Sequence, residues 1–263
     1  LSTAERIALF LLATLFVVVV VSLLAPVVIV ALGSFFLDSH GNLDFSAPTL
    51  AWYADTFANR QVVTALINTL IVGAGSVLIA ISLAVLMALY QFWRQRPPGI
   101  VLDLLIVLPF ILPPLVVGLS LLIFFRQVGI SSGVGAVMIG HALFVLAIVY
   151  RLIHNRLTQM GKTLVDAAMD LGARPLQVFW RIVLPQVRGA IAVAAILAFT
   201  LSFDETLITM FLVGDANTLP IMLWAMMRTG FSPAINALAS LVLCTSLLLV
   251  WIALRATGRD RST

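Results

Sequence analysis

Six stretches of predominantly apolar residues, each of a length to cross a hydrocarbon layer as a helix, take up most of this 263-residue chain. A bilayer core about 30 Å thick needs roughly 20 residues rising 1.5 Å each. Runs of that order fall at Ile7 to Phe36, Val62 to Trp93, Ile100 to Phe125, Val134 to Leu152, Gly189 to Val213 and Ile235 to Arg255. With 62% hydrophobic and 10% charged residues, and a mean hydropathy of +1.15, the chain lacks the mixed charged surface of a water-soluble domain. The expected fold is an all-α membrane protein with six transmembrane helices, a single domain over residues 1–263 whose partner on most of its surface is the lipid bilayer.

The first run exceeds the apolar length of a signal peptide and no A-x-A-like site follows it, so it is expected to remain as an anchor. Cys244 is the single cysteine, which excludes an internal disulfide. The net charge is +4, and its distribution sets the topology. One side of the six-span layout carries Arg6, Arg94, Arg96, Arg151, Arg156, Lys162, Arg174, Arg181, Arg188, Arg255, Arg259 and Arg261, and the other carries Arg60, Arg126 and Arg228. That ratio of 12 to 3 puts both termini and the even-numbered loops in the cytoplasm, and it accounts for the basic balance without nucleic acid. Pro109, Pro113 and Pro114 each remove a backbone donor from the third run, so it is expected to kink or unwind, either along a transport path or at a packed interface. Gly73 and Gly75 are expected to allow close helix contact.

The longest loop on the basic side, Asn155 to Gln186, has a helical pattern but is too short and polar to span. It reads as a hairpin of two short helices between the fourth and fifth spans. Thr163 is placed to cap the first helix, with Asp166 at its third position near the positive end of the dipole. Leu164, Ala168 and Leu171 share a face, and Gly172 is the natural stop. Pro175 suits the first turn of the second helix, Leu176, Phe179, Trp180 and Val183 form a stripe at i, i+3, i+4 and i+7, and Pro185 ends it. Such a hairpin fits a groove on a cytoplasmic partner or lies on lipid headgroups, and amphipathicity alone supports both.

Asp166-Ala167-Ala168, then Gly172, then Ile182-Val183-Leu184-Pro185 resembles the E-A-A-x3-G-x9-I-x-L-P signature of permease subunits of bacterial ABC importers, with Asp in place of the usual Glu. The likeness runs over nearly the whole chain, including Asn68-Thr69-Leu70 and the proline-rich third run. It is nearest to the spermidine/putrescine permease subfamily through Leu201-Ser202-Phe203-Asp204-Glu205 and the following Gly214. The resemblance implies a bacterial inner-membrane subunit that is not itself an enzyme. It pairs with a second permease subunit, two cytoplasmic ATPase subunits and a periplasmic solute-binding protein. No cofactor is then expected on this chain; ATP and Mg belong to the ATPase partners, and no metal site is expected here. It further implies that the ATPase contact is made by Asp166, Ala167, Ala168, Asp170, Leu171, Gly172, Ala173, Phe179 and Pro185. The solute implied is a polyamine or similar small cation, with iron, sulfate, amino-acid-like or phosphonate compounds as alternatives.

Asp204 and Glu205 interrupt the fifth run past its midpoint. An Asp at the bilayer centre costs about 2.5 to 3.5 kcal/mol, so the pair needs water, a partner or an interfacial position. On one continuous helix Ser202, Glu205 and Thr209 align, as do Thr200 and Asp204, giving a polar strip suited to a cation path. The alternative is that the acids sit hydrated at the outer interface.

Other motifs are less informative. Gly161-Lys162-Thr163 ends like a phosphate-binding loop, but Arg156 stands where the first glycine is needed. Gly129-Ile130-Ser131-Ser132-Gly133 matches G-x-S-x-G yet joins two spans as a turn. His40, His141 and His154 are scattered, and His141 reads as a packing or interhelix hydrogen-bond residue. A proton-driven secondary transporter relaying through Asp204 or Glu205, and an intramembrane serine protease, are the rival classes, and neither uses the spacing from Asp166 to Pro185.

Overall fold

The computed structural model describes residues 2–36, 42, 44–46, 48–94, 100–229 and 233–259. His40, and Arg96 and Arg261 of the charge count, lie outside them. The described residues fall into two compact units, one of residues 1–60 with 223–244 and one of residues 61–222 with 245–263.

In the first unit, α1 (Thr3–Phe36) forms the first apolar run as 34 helical residues, and a short α2 (Ala51–Ala58) follows. No side chain in the most apolar window of α1 is buried, so its surroundings must be lipid or another protein. Tyr53 on α2 donates a hydrogen bond to Ser34 Oγ on α1 at 2.8 Å, which satisfies two polar groups beside an apolar helix.

The second unit contains α3 (Arg60–Arg94), α4 (Ile100–Ile111), α5 (Pro114–Val128), α6 (Val134–Met160), α7 (Thr163–Asp170), α8 (Pro175–Val178), α9 (Leu184–Phe203) and α10 (Leu207–Leu212). Helix α6 is central: 61% of its apolar window is buried, and it packs against α4, α5, α9 and α10. Along α3, Ser76, Ala80, Ala84 and Ala88 are buried at a spacing of four, a stripe of small side chains that admits neighbouring helices closely. A Cβ at Gly73 would come within 2.8 Å of the Phe199 ring on α9, and one at Gly75 would collide with Met138 on α6. Helices α11 (Leu219–Thr229) and α12 (Pro233–Arg259) complete the chain.

All six apolar runs form helices, the third and fifth with a non-helical break inside them. Among the described residues four helices are long and apolar enough to cross a membrane, and a bent pair makes a fifth. That pair is the proline-rich run, which bends by 114° between α4 and α5 across Leu112 and Pro113. Pro109 lies inside α4, whereas Pro114 opens α5, where a missing N–H costs nothing. The sixth run is the 27-residue α12, apolar from Pro233 through Leu248.

The fifth run departs from expectation. Its helix ends at Phe203, Asp204 to Thr206 are non-helical, and α10 is a separate six-residue helix. Two adjacent carboxylates are costly on a helix inside an apolar layer, and the chain breaks where they fall.

Candidate functional site

Residues 155–186 form the expected hairpin, with corrections in detail. Helix α7 begins at Thr163 itself, so Lys162 and not Thr163 is the N-cap, and no side chain caps the helix. Asp166 is therefore the fourth helical residue, its N–H bonded to the Lys162 carbonyl at 2.8 Å. Lys162 instead reaches back, donating from Nζ to the Trp93 carbonyl at 3.3 Å and lying 5.3 Å from the Phe92 ring centroid. This ties the start of the hairpin to the end of α3.

At the bend, Gly172 has φ +87°, a left-handed conformation that a Cβ disfavours. The Ala173 N–H bonds to the Ala168 carbonyl at 3.0 Å and the Gly172 N–H to the Met169 carbonyl at 2.9 Å, the paired bonds of a Schellman closure. The expected face of Leu164, Ala168 and Leu171 does not form as such. Val165 is the buried anchor and Ala168 is half-buried, while Leu164 is exposed and Leu171 is 90% exposed at the tip. Asp166, Ala167 and Asp170 are exposed as well, and Ala173 packs partly against the core.

Past the bend, the Arg174 N–H donates to Gln177 Oε1 at 2.9 Å and Pro175 takes the first helical position. Pro185 does not end the second helix. Phe179 to Val183 wind as one π-helical turn, with the Leu184 N–H bonded to the Phe179 carbonyl, and α9 continues from there to Phe203. A proline has no N–H and its ring crowds the carbonyl four residues back; a local π turn relieves both. The wider turn also rotates the side chains. Val178, Val183 and Val187 are buried, Phe179 is half-buried, and Leu176 and Trp180, expected in the stripe, point outward at 68% and 59% exposure. The Arg156 side chain donates to the Gln186 carbonyl at 3.1 Å, fixing α6 to this segment. The hairpin is thus closed at its bend, anchored at both roots, and lined outside by Leu164, Met169, Leu171, Leu176 and Trp180, which stay exposed among the described residues.

The second polar feature is the break after α9. Because the helix stops, Ser202, Glu205 and Thr209 do not form a strip on one helix, nor do Thr200 and Asp204. Asp204 is exposed. Glu205 is half-buried, and its Oε1 accepts from the N–H groups of Leu207 at 2.8 Å and Ile208 at 3.0 Å, satisfying the first amides of α10. Thr200 is half-buried with its hydroxyl on the Ile196 carbonyl. Ser202 and Thr209 are buried, and both bond to His141: Nδ1 lies 2.8 Å from Ser202 Oγ and Nε2 lies 2.8 Å from Thr209 Oγ1. Sequence reasoning gave His141 no more than an interhelix bond, and its partners lie 61 and 68 residues away. Ser131 is exposed in the turn between α5 and α6, and His154 stacks on Tyr150 with centroids 5.3 Å apart.

Asn68 and Thr69, part of the likeness noted in the sequence, hold the loop before α11. Asn68 donates to the Asn217 carbonyl at 2.9 Å, and Thr69 Oγ1 accepts from the Leu219 N–H at 2.8 Å.

Comparison with known proteins agrees with this architecture. The spermidine/putrescine transport system permease protein PotC of Escherichia coli K12 is 30% identical over 240 residues, covering 90% of this chain and 89% of the relative. The putrescine transport system permease protein PotI of the same strain is 35% identical over 201 residues, 73% and 71% of the two chains. The sulfate transport system permease protein CysT of Salmonella typhimurium is 30% identical over 226 residues, 80% and 81%. A crystal structure of a bacterial ABC transporter involved in import of the acidic polysaccharide alginate shares the fold with TM-score 0.73 at 17% identity, covering 98% of both chains. The sequence profile of binding-protein-dependent transport system inner membrane components matches residues 76–258. With the hairpin, the broken spans and these relatives in agreement, the chain belongs to that family of ABC importer permeases.

Proposed function

We propose that this chain is one of two permease subunits of an ATP-driven importer for a polyamine or a similar small cation, moved by ATPase subunits that hold its hairpin. The observation that carries the reading is the hairpin tip: Leu171 is 90% exposed on a rigid, twice-anchored turn, an apolar knob placed for a partner. In this reading both termini and the hairpin face the cytoplasm, a solute-binding protein docks on the opposite side, and a second permease completes the pathway. ATP and Mg act on the ATPase subunits. Their closure displaces the hairpin, and the membrane helices switch between inward-open and outward-open states as packed bodies.

The solute assignment is supported by the PotC and PotI relatives and by Asp204. The similarity to a sulfate permease shows that overall identity alone does not select the solute. An exposed carboxylate in a broken span attracts a cation and repels an anion, which favours the polyamine reading. A proton-driven transporter has no use for a hairpin of this build.

The test is copurification of the native complex and identification of its subunits, followed by uptake of labelled spermidine in vesicles. Recovery of an ATPase, a second permease and ATP-dependent spermidine uptake is expected. A purified chain that carries no ATPase in its native membrane would overturn the reading.

A further inference from the structure

The hairpin and the acidic break are joined by one continuous helix. From Pro175 through the π turn to Phe203 the chain is a single helix of 29 residues, about 43 Å long. A helix without a break is the direct mechanical path from the hairpin to Phe203. Beyond Phe203 the helix stops, and three non-helical residues separate it from α10. An unrestrained link of this kind would absorb the motion by turning about its own dihedrals.

The link is restrained by a side chain from a third helix. His141 on α6 is 1% exposed, and its two ring nitrogens contact opposite sides of the break: Ser202 in the last turn of α9 and Thr209 in the first turn of α10, each at 2.8 Å. Proton placement is consistent. Either neutral tautomer satisfies the cluster: with the Thr209 hydroxyl donating to the Glu205 carbonyl at 2.7 Å, Nε2–H donates to Thr209 and Nδ1 accepts from Ser202, and with the Ser202 hydroxyl donating to Ser76, Nδ1–H donates to Ser202 and Nε2 accepts from Thr209. Ser202 also lies 3.4 Å from Ser76 on α3. The preceding residue on α6, Gly140, lets α10 approach closely through Ile208 and Leu212.

We propose that His141 is a positioning residue that latches both sides of the break to α6, so that motion of the hairpin–α9 lever sets the placement of Asp204. The proposal rests on the importer reading for its consequence, though not for its geometry. Its chemistry requires a side chain with a donor and an acceptor on opposite edges; an apolar side chain of similar bulk fills the space without joining the two helices.

The test uses the assembled complex with Cys244→Ser, Leu197→Cys and Met210→Cys, so that spin labels on partly exposed positions of α9 and α10 report the distance across the break. A single narrow distance distribution is expected with His141. In His141→Leu it should broaden or split, and Ser202→Ala and Thr209→Val, each removing one bond, should broaden it less. In parallel, ATP consumed per spermidine delivered should rise about fivefold in His141→Leu while the hydrolysis rate itself holds, a split that a merely misfolded subunit does not produce. If His141→Leu fails to assemble, the two single-bond variants decide. An unchanged distribution in every variant that assembles overturns the latch. Absence of ATP-driven spermidine uptake by the unsubstituted complex counts instead against the importer reading, and the distances still decide the latch.

Discussion

His141 Nε2 and the Thr209 hydroxyl, on different helices and 68 residues apart in sequence, meet at 2.8 Å inside the protein. Both are buried, and each has one further partner, Ser202 Oγ for the ring and the Glu205 carbonyl for the hydroxyl. Thr209→Val is isosteric but leaves a buried ring nitrogen unpaired, at a cost of about 1 to 3 kcal/mol. Thr209→Ser retains the oxygen. The expected result is a lower thermal midpoint of the detergent-solubilised subunit for Val and a near-native one for Ser.

Leu171 contributes little to the stability of this chain, because it is 90% exposed. Leu171→Asp should leave expression and thermal unfolding unchanged while reducing retained ATPase about tenfold in copurification, the loss of roughly 1.4 kcal/mol at a contact centre.

Gly172 differs in kind. Nothing lies within 4 Å of a Cβ built there, so substitution causes no collision, but φ +87° costs a side-chain-bearing residue about 1 to 2 kcal/mol. Gly172→Ala is expected to weaken the Schellman closure, seen as faster amide exchange at residues 168–173, with reduced uptake and intact membrane insertion.

The two acids separate by role. Glu205 bonds two backbone amides, so Glu205→Ala should destabilise α10 by about 1 kcal/mol, and Glu205→Gln, which keeps an acceptor, by less. Asp204→Asn should preserve assembly and stability and lower spermidine uptake severalfold. Uptake unchanged in Asp204→Asn would remove this carboxylate from the pathway.

Glycines on α6 supply a contrast within one helix. A Cβ at Gly140 would lie 2.6 Å from Leu212 Cδ1 and 2.9 Å from Ile208 Cγ2, whereas one at Gly135 meets nothing within 4 Å. Gly140→Ala should destabilise by about 1 to 3 kcal/mol through overpacking, and Gly135→Ala should be neutral or mildly stabilising. Thermal midpoints of the two variants provide the comparison.

The helices were legible because apolar length is a property of each segment by itself. So was the bend at Gly172, which depends on one residue's freedom at positive φ. The break at Asp204 was half-legible: the acids marked an anomaly, but a 3.6-residue period carried through them produced a polar strip that does not exist. The same fixed period hid the π turn ahead of Pro185, and with it the outward rotation of Leu176 and Trp180. The exposure of Leu164, Leu171, Leu176 and Trp180 was not legible, because a period marks a shared face and not what covers it. His141 could be found only once α6, α9 and α10 were brought together, because nothing local distinguishes it from any other histidine in an apolar run.

Reconstituted vesicles address the central claim most directly: uptake of labelled spermidine by this chain with its second permease, binding protein and ATPase subunits, against the same vesicles without the ATPase and with an imposed proton gradient. Accumulation confined to the complete, ATP-supplied complex is predicted. Concentrative uptake driven by protons in the ATPase-free vesicles would contradict the account.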